Sequence, residues 1–263
     1  MIEHERIKAV SEQLSHLGIQ MRYLSSTEST NDDALLWLEE GAPEYAAVVA
    51  DEQTKGRGRF QRRWITNSGA ALAVSVVLYP KEKERQHIAL FAPLAGIALT
   101  TALEDSFGIS PQIKWPNDVL LTEKKVSGIL TETHWVGTEL RGVVIGTGVN
   151  ISTDSIPPRE ELTFPATCLE TELGYFVDRW ELLSAYLENL VTWRDNLGKD
   201  SFIQYWQAHL AFVDREVEIR GTQGAVVGGI LKGISPDGDL FIQDGETQHR
   251  IQAGDVHLRL RAS

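Results

Sequence analysis

Cysteine is nearly absent from the chain: Cys168 is the single one in 263 residues. A disulfide framework and a Cys-rich zinc site are therefore excluded. With no base near it in sequence, Cys168 reads as an inert buried thiol. Positive charge is scarce too. Lys and Arg number 25 against 37 Asp and Glu, a formal net charge of −12, so general affinity for nucleic acid, which needs a basic surface to neutralise phosphates, is not expected. Long apolar runs are missing as well. One long uncharged stretch, Ile88 to Leu103, contains Pro93 and Gly96 and is shorter than the roughly 18 apolar residues of a membrane span, so it reads as a buried helix. The N-terminal segment lacks the apolar core of a signal peptide, and a cytoplasmic protein without membrane association is expected. The seven histidines show no metal-binding spacing, no G-x-x-x-x-G-K-[ST] occurs, and no nucleophile–base pair suggests a covalent acyl-enzyme. Chemistry by charge neutralisation and positioning remains.

The balance of 42% hydrophobic and 24% charged residues is ordinarily globular, and the length fits one large domain or two smaller ones. Ile7, Val10, Leu14 and Leu17, followed by Gly18, predict one amphipathic helix over 4–17. The space before the next strand is too short for the packed helices of a helix-turn-helix domain. A strand over 22–25, a helix capped by Ser29 or Thr30 and closed by Gly41, and a strand over 45–50 follow. The β-branched run 70–79 predicts a buried strand, and 87–107 a long buried helix ending at Gly108. Short strands are expected near Ile113, Val119 and Ile129 and over 140–145, a Pro- and Thr-rich loop over 152–167, and helices over 178–195 and 199–211. From Arg215 the pattern becomes short strands (217–219, 225–234, 240–242, 248–251 and 256–260) between Gly-rich turns such as Pro236-Asp237-Gly238, which predicts a small β-barrel. The expected division is a helix and connector over 1–22, a main domain over 23–212 and a small barrel over 213–263.

Against the acidic total, the segment Gln53 to Trp64 carries five cations: Lys55, Arg57, Arg59, Arg62 and Arg63. Gly56 and Gly58 allow close backbone approach and an anion-binding nest, and arginine forks suit carboxylate or phosphate. An anionic ligand is the expectation. Lys114-Trp115-Pro116-Asn117-Asp118 places polar groups at a strand junction broken by Pro116. In Lys124-Lys125-Val126-Ser127-Gly128, Lys125 supplies a second positive point. Gly146-Thr147-Gly148-Val149-Asn150 lacks the third glycine of a dinucleotide fingerprint but still permits a close approach, with Asn150 able to donate and accept.

Taken together and in this order, with Ser29-Thr30-Asn31 ahead of them, these segments resemble the biotin protein ligase family over roughly residues 23–260. The resemblance implies an α+β fold: a mixed β-sheet catalytic domain with flanking helices, of the class II synthetase-like biotin–lipoyl ligase type, and a small C-terminal SH3-like β-barrel. It implies activation of biotin by Mg2+-ATP to biotinyl-5′-adenylate, then transfer to one lysine of a biotin carboxyl carrier protein, usually an acetyl-CoA carboxylase subunit. Carried over by position, Ser29, Thr30 and Gln53 bond the ureido ring, and Asn31 and Gly128 complete the biotin site. Gly56, Arg57, Gly58 and Arg59 close over biotin and the adenylate. Lys125, Arg57 and Arg59 are the catalytic candidates. Arg62, Trp64, Lys114, Asn117, Asp118 and Asn150 surround ATP with Arg59 and Lys125, and Asp118 organises either Lys125 or the metal.

This chain has Gln61 where the family loop usually has glycine, which stiffens the far half of the loop. Its single N-terminal helix resembles the monofunctional members rather than the DNA-binding repressors, and a homodimer is compatible with the family. The competing readings are a lipoate or octanoate ligase or transferase of related fold and, from another class, a non-catalytic biotinyl-adenylate sensor or repressor.

Overall fold

A computed structural model describes residues 3–221, 226–252 and 256–260. Val10 and Leu14 bury one edge of α1 (Glu3–Ser15), which packs on α5, the helix Arg179–Arg194. β1 (Met21–Leu24) and β2 (Ala47–Ala50) run parallel, joined by the crossover helix α2 (Thr30–Glu39). β3 (Ala71–Leu78), buried at every position, pairs antiparallel with β2. The α-helix α3 spans Phe91–Phe107 and ends at Gly108, whose φ of 63° only glycine adopts without strain. The residues expected to begin it, from 87, form part of a 3-10 segment instead.

The continuous stretch Glu82–Phe107 is long and apolar enough to cross a membrane by length and composition. Burial distinguishes it: Leu94, Ile97, Ala98 and Leu99 are fully shielded within the core, against β4–β7 and α5.

β4 (Gln112–Lys114), β5 (Asp118–Leu121), β6 (Lys124–Val136) and β7 (Glu139–Asn150) complete the mixed sheet, whose order is β1-β2-β3-β7-β6-β5-β4. The strands expected to be short near 129 and 140 form one long hairpin instead. Gly146 to Asn150 belong to β7, paired along Ala71–Ser75, so the Gly-Thr-Gly segment is strand and not a ligand loop. α4 (Leu169–Leu173) was not anticipated, because a single helical turn carries no periodicity. α6 (Asp200–Ala208) follows α5 and is shorter than expected.

β8 (Glu216–Gly221), β9 (Val226–Ile234), β10 (Leu240–Asp244), β11 (Thr247–Ile251) and β12 (Val256–Leu260) form an antiparallel sheet in the order β11-β10-β9-β8-β12, the small C-terminal SH3-like unit. Ala225, the expected start of its second strand, lies outside the described residues. This sheet is fastened to the larger one. The indole of Trp115, wholly buried, donates to the Gly238 carbonyl at 3.0 Å, and Ile234 N–H donates to Gln207 Oε1 at 3.0 Å. Gly238 has φ 85°, and a Cβ there would sit 2.8 Å from Leu90 and 3.0 Å from Trp206. Gly238→Ala is expected to cost about 1–3 kcal/mol through overpacking, measured as a lower urea midpoint at unchanged slope.

Candidate active site

The mixed sheet and the segments joining its strands enclose a cleft of about 310 Å³. Its polar end is built at the start of α2. Ser29 is the N-cap residue, yet its side chain makes no cap hydrogen bond. Ser29, Thr30 and Asn31 are all buried and line the cleft. Thr30 N–H donates to Gln53 Oε1 at 2.9 Å, and Gln53 Nε2 donates to Thr66 Oγ1 at 3.0 Å. Asn31 Nδ2 donates to Glu132 Oε2 at 2.6 Å.

The arginine-rich segment is a folded hairpin. Gln53 pairs with Thr66 and Arg57 with Arg63. Gly58 N–H donates to the Arg62 carbonyl at 2.7 Å, and Trp64 N–H to the Gly56 carbonyl at 2.8 Å. Phe60, with φ 60°, turns the chain. The expected nest is absent: neither Gly56 nor Gly58 has left-handed backbone, and the Gly58 N–H is engaged by the hairpin. Gly56 supplies room, since a Cβ there would lie 2.5 Å from the Trp64 carbonyl oxygen. Gly58 lines the cleft, and Gly56 is not among its lining residues.

The two inner arginines differ. Arg57 forks onto Asp32, its Nη1 and Nη2 donating at 2.6 and 2.5 Å, with Glu132 3.6 Å away. It lines the cleft, and its guanidinium contacts the protein's own carboxylates, which ties the hairpin to α2. Arg59 Nη1 reaches Asn117 Oδ1 at 3.3 Å, and its guanidinium lies 5.0 Å from the Phe60 ring. Arg62 and Arg63 stand exposed at the rim.

The cationic floor comes from β4, β5 and β6. The turn at Pro116 and Asn117 sets Lys114 opposite Asp118 in register, and Lys125 approaches from β6. Asp118, buried, accepts from Lys125 Nζ at 2.6 Å and from Lys114 Nζ at 3.1 Å. Burial alone raises the pKa of this carboxyl, but the two ammonium groups outweigh it and hold Asp118 well below the usual carboxylate range. Asp118 thus contacts Lys125 directly, as the first of the two roles left open for it requires. Lys114 Nζ also lies 4.8 Å from the Phe164 ring, and Lys125 Nζ 5.4 Å from that of Trp64.

Trp64 packs on the glycines of β6 and β7: a Cβ at Gly148 would lie 2.4 Å from its indole, and one at Gly128 3.2 Å. This is what the glycines at 128 and 148 permit. The Trp64 Nε1 is buried without a hydrogen-bond partner in the protein. Asn117 Nδ2 donates to the Ile129 carbonyl at 2.6 Å, and Asn150 Nδ2 to the Thr167 carbonyl at 2.9 Å.

The sequence reading missed two walls. Pro157, Glu161 and Phe164 reach the cleft from the segment read as a plain loop, and Leu258 and Arg259 reach it from β12. Neither has a motif, because their contacts come from chain folding over long sequence separations. The assembled cleft thus has a neutral hydrogen-bonding end and a cationic end of Lys125, Lys114 and Arg59, suited to a ligand with a polar head and an anionic tail.

A mixed sheet carrying such a cleft, with a small antiparallel sheet closing one wall, defines the class of biotin and lipoate ligases. Residues 23–150 match the Biotin/lipoate A/B protein ligase family. The chain is 34% identical over 242 residues to the biotin--[acetyl-CoA-carboxylase] ligase of Paracoccus denitrificans, covering 89% of this chain and 98% of that one. It is 32% identical over 245 residues to the bifunctional ligase/repressor BirA of Bacillus subtilis, covering 92% and 75%. A solved structure, the biotin protein ligase from Aquifex aeolicus in complex with biotin and ATP, matches with a TM-score of 0.79 at 31% identity, covering 92% of this chain and 99% of that one. The chain belongs to the biotin protein ligase family.

Because the folded state depresses the Asp118 pKa, its stabilisation is present above the ordinary carboxylate value of 3.8 and is lost as pH falls below it. At neutral pH, Asp118→Asn is expected to cost about 3–5 kcal/mol by stranding two lysines. Denaturant titrations from pH 7 down to acid should show the gap between wild type and variant narrowing once pH falls below that value.

Proposed function

We infer that this protein activates biotin with ATP to biotinyl-5′-adenylate and transfers the acyl group to one lysine of a biotin carboxyl carrier protein. The observation that carries this reading is that one cleft gathers the Asp118-held lysines together with Ser29, Thr30 and Gln53. In the first step a carboxylate oxygen of biotin attacks the α-phosphorus, and pyrophosphate leaves. Two anionic groups must meet, and Lys125, fixed by Asp118, neutralises the charge that builds between them. In the second step the carrier lysine, as a free amine, attacks the mixed anhydride carbonyl, and AMP leaves. No covalent enzyme intermediate is needed.

Ser29, Thr30 and Gln53 take the ureido ring, and Asn31 and Gly128 frame it. Arg59 bridges to Asn117 over the adenylate, and Lys114, Arg62, Trp64 and Asn150 surround the nucleotide. Mg2+ arrives with ATP as part of the substrate. Among the described residues no group of three or more His, Cys, Asp or Glu could hold the ion, Asp118 is engaged by two lysines, and this cation is commonly carried by substrate phosphates. The carrier is an acetyl-CoA carboxylase subunit, and the setting is the cytoplasm.

ATP–pyrophosphate exchange tests the reading: exchange driven by biotin and not by lipoate supports it, and the reverse preference overturns it. Incubation with ATP, biotin and a purified carrier domain should add one biotin to the carrier, read as a mass shift. Lys125→Ala is expected to slow biotin-dependent exchange about 10²–10³-fold, the usual loss of a charge acting in the transition state. Arg59→Gly is expected to leave adenylate formation measurable but to release the intermediate, so that added bystander proteins become biotinylated. Labelling confined to the carrier would remove the shielding role from Arg59.

A further inference from the structure

The hairpin over 53–66 leaves the sheet at the end of β2 and returns to it at the start of β3, so its direction is set where its two feet meet. Asp51 is the outgoing foot. The turn Asn67–Ala70, closed by the Ala70 N–H on the Asn67 carbonyl at 3.0 Å, is the returning one. One carboxylate joins them. Asp51 Oδ2 accepts from the Ser68 hydroxyl, and Oδ1 accepts from the Gly69 N–H at 3.2 Å. Gly69 presents that N–H from a φ of 74°, which glycine adopts without strain.

Arg179, the first residue of α5, completes the cluster by pairing with Asp51 Oδ1. Its guanidinium lies 5.0 Å from the ring of Trp180, which is buried and stands 5.8 Å from the Tyr23 ring of β1. The Asp51 and Arg179 side chains keep 15% and 13% of their surface, against 44% and 29% for the Asp32–Arg57 pair nearer the tip. Burial alone raises the Asp51 pKa, but the donors of Ser68, Arg179 and Gly69 outweigh it and hold the carboxyl below its usual range. Asp51, Ser68 and Arg179 are not among the residues lining the cleft. They act on it by leverage. Residues 53 to 59 span at most about 20 Å, so a tilt of about 10° at the feet moves Arg59 by up to about 3.5 Å. Such a shift breaks the 3.3 Å contact of Arg59 with Asn117.

We propose that Asp51 is a positioning residue that, by drawing both feet of the hairpin onto Arg179, fixes where Arg59 stands over the cleft. The inference rests on the reading of the hairpin as the cover of biotinyl-adenylate.

The test is a release experiment on the full chain. Radiolabelled biotin and ATP form the adenylate, the complex is separated from free ligand, and escape of the label is followed as a rate per bound adenylate. Asp51→Asn and Ser68→Ala are each expected to speed release about tenfold, the loss of one hydrogen bond to a charged group. A variant damaged only in folding loses binding sites but releases what it holds at the wild-type rate. In the Arg59→Gly background the same substitutions should add little, because both act through one side chain. Release at the wild-type rate in Ser68→Ala, an exposed position that decides alone if Asp51→Asn does not fold, overturns the proposal. A full effect on top of Arg59→Gly overturns it too. A wild-type chain that forms no adenylate from biotin and ATP overturns the functional reading itself, a result distinct from any variant's release rate.

Discussion

One buried carboxylate shared by two ammonium groups sets the terms for the whole site. Asp118 holds Lys114 from its own hairpin and Lys125 from the next strand, so three side chains from three adjacent strands are locked into one geometry. An isolated buried charge of either sign would be costly, and neither Asp118 nor Lys114, both buried, is tolerable alone. The arrangement leaves a net positive charge at the floor of the cleft, fixed before any ligand arrives. A positive point that need not reorganise during reaction is worth more than one that must be recruited from solvent.

The other end of the cleft follows a different logic. There the groups are neutral, and their value lies in direction rather than charge. Thr30, Gln53, Ser75 and Asn31 form a connected set whose distances lie between 2.6 and 3.0 Å. Such sets specify a ligand only if every member is satisfied in one sense and not the other.

Much of this was legible because the site is assembled from short local segments, each with residues whose chemistry is hard to explain otherwise. Ser29-Thr30-Asn31, Lys114, Asn117, Asp118 and Lys125 all lie at the cleft, as the sequence reading expects. The partner of Arg57 was not legible: an arginine beside a glycine in a basic segment carries no mark of the carboxylate it meets, and only the fold shows Asp32 beneath it. Gly146 and Gly148 read as sites of close approach without saying what approaches, and in the fold they are strand residues lacking Cβ so that Asn31 and Trp64 can press against the sheet. The wall contributed by Leu258 and Arg259 had no signal, since a five-residue strand near the end of the chain reveals nothing about which surface it will face. The C-terminal strands themselves were read well because turn residues and alternation are local.

The hairpin over 53–66 and the lysine floor answer differently to the surrounding electrolyte. The Arg57–Asp32 pair that pins the hairpin is partly exposed, the side chains keeping 29% and 44% of their surface, whereas that of Asp118 keeps 12%. Mobile ions reach the first pair and screen it over a Debye length of about 8 Å at physiological strength, and they reach the second far less. Ionic strength therefore loosens the Arg57–Asp32 tie that holds the hairpin to α2 more readily than the Lys114–Asp118 pair beneath it, whose side chains keep 10% and 12% of their surface.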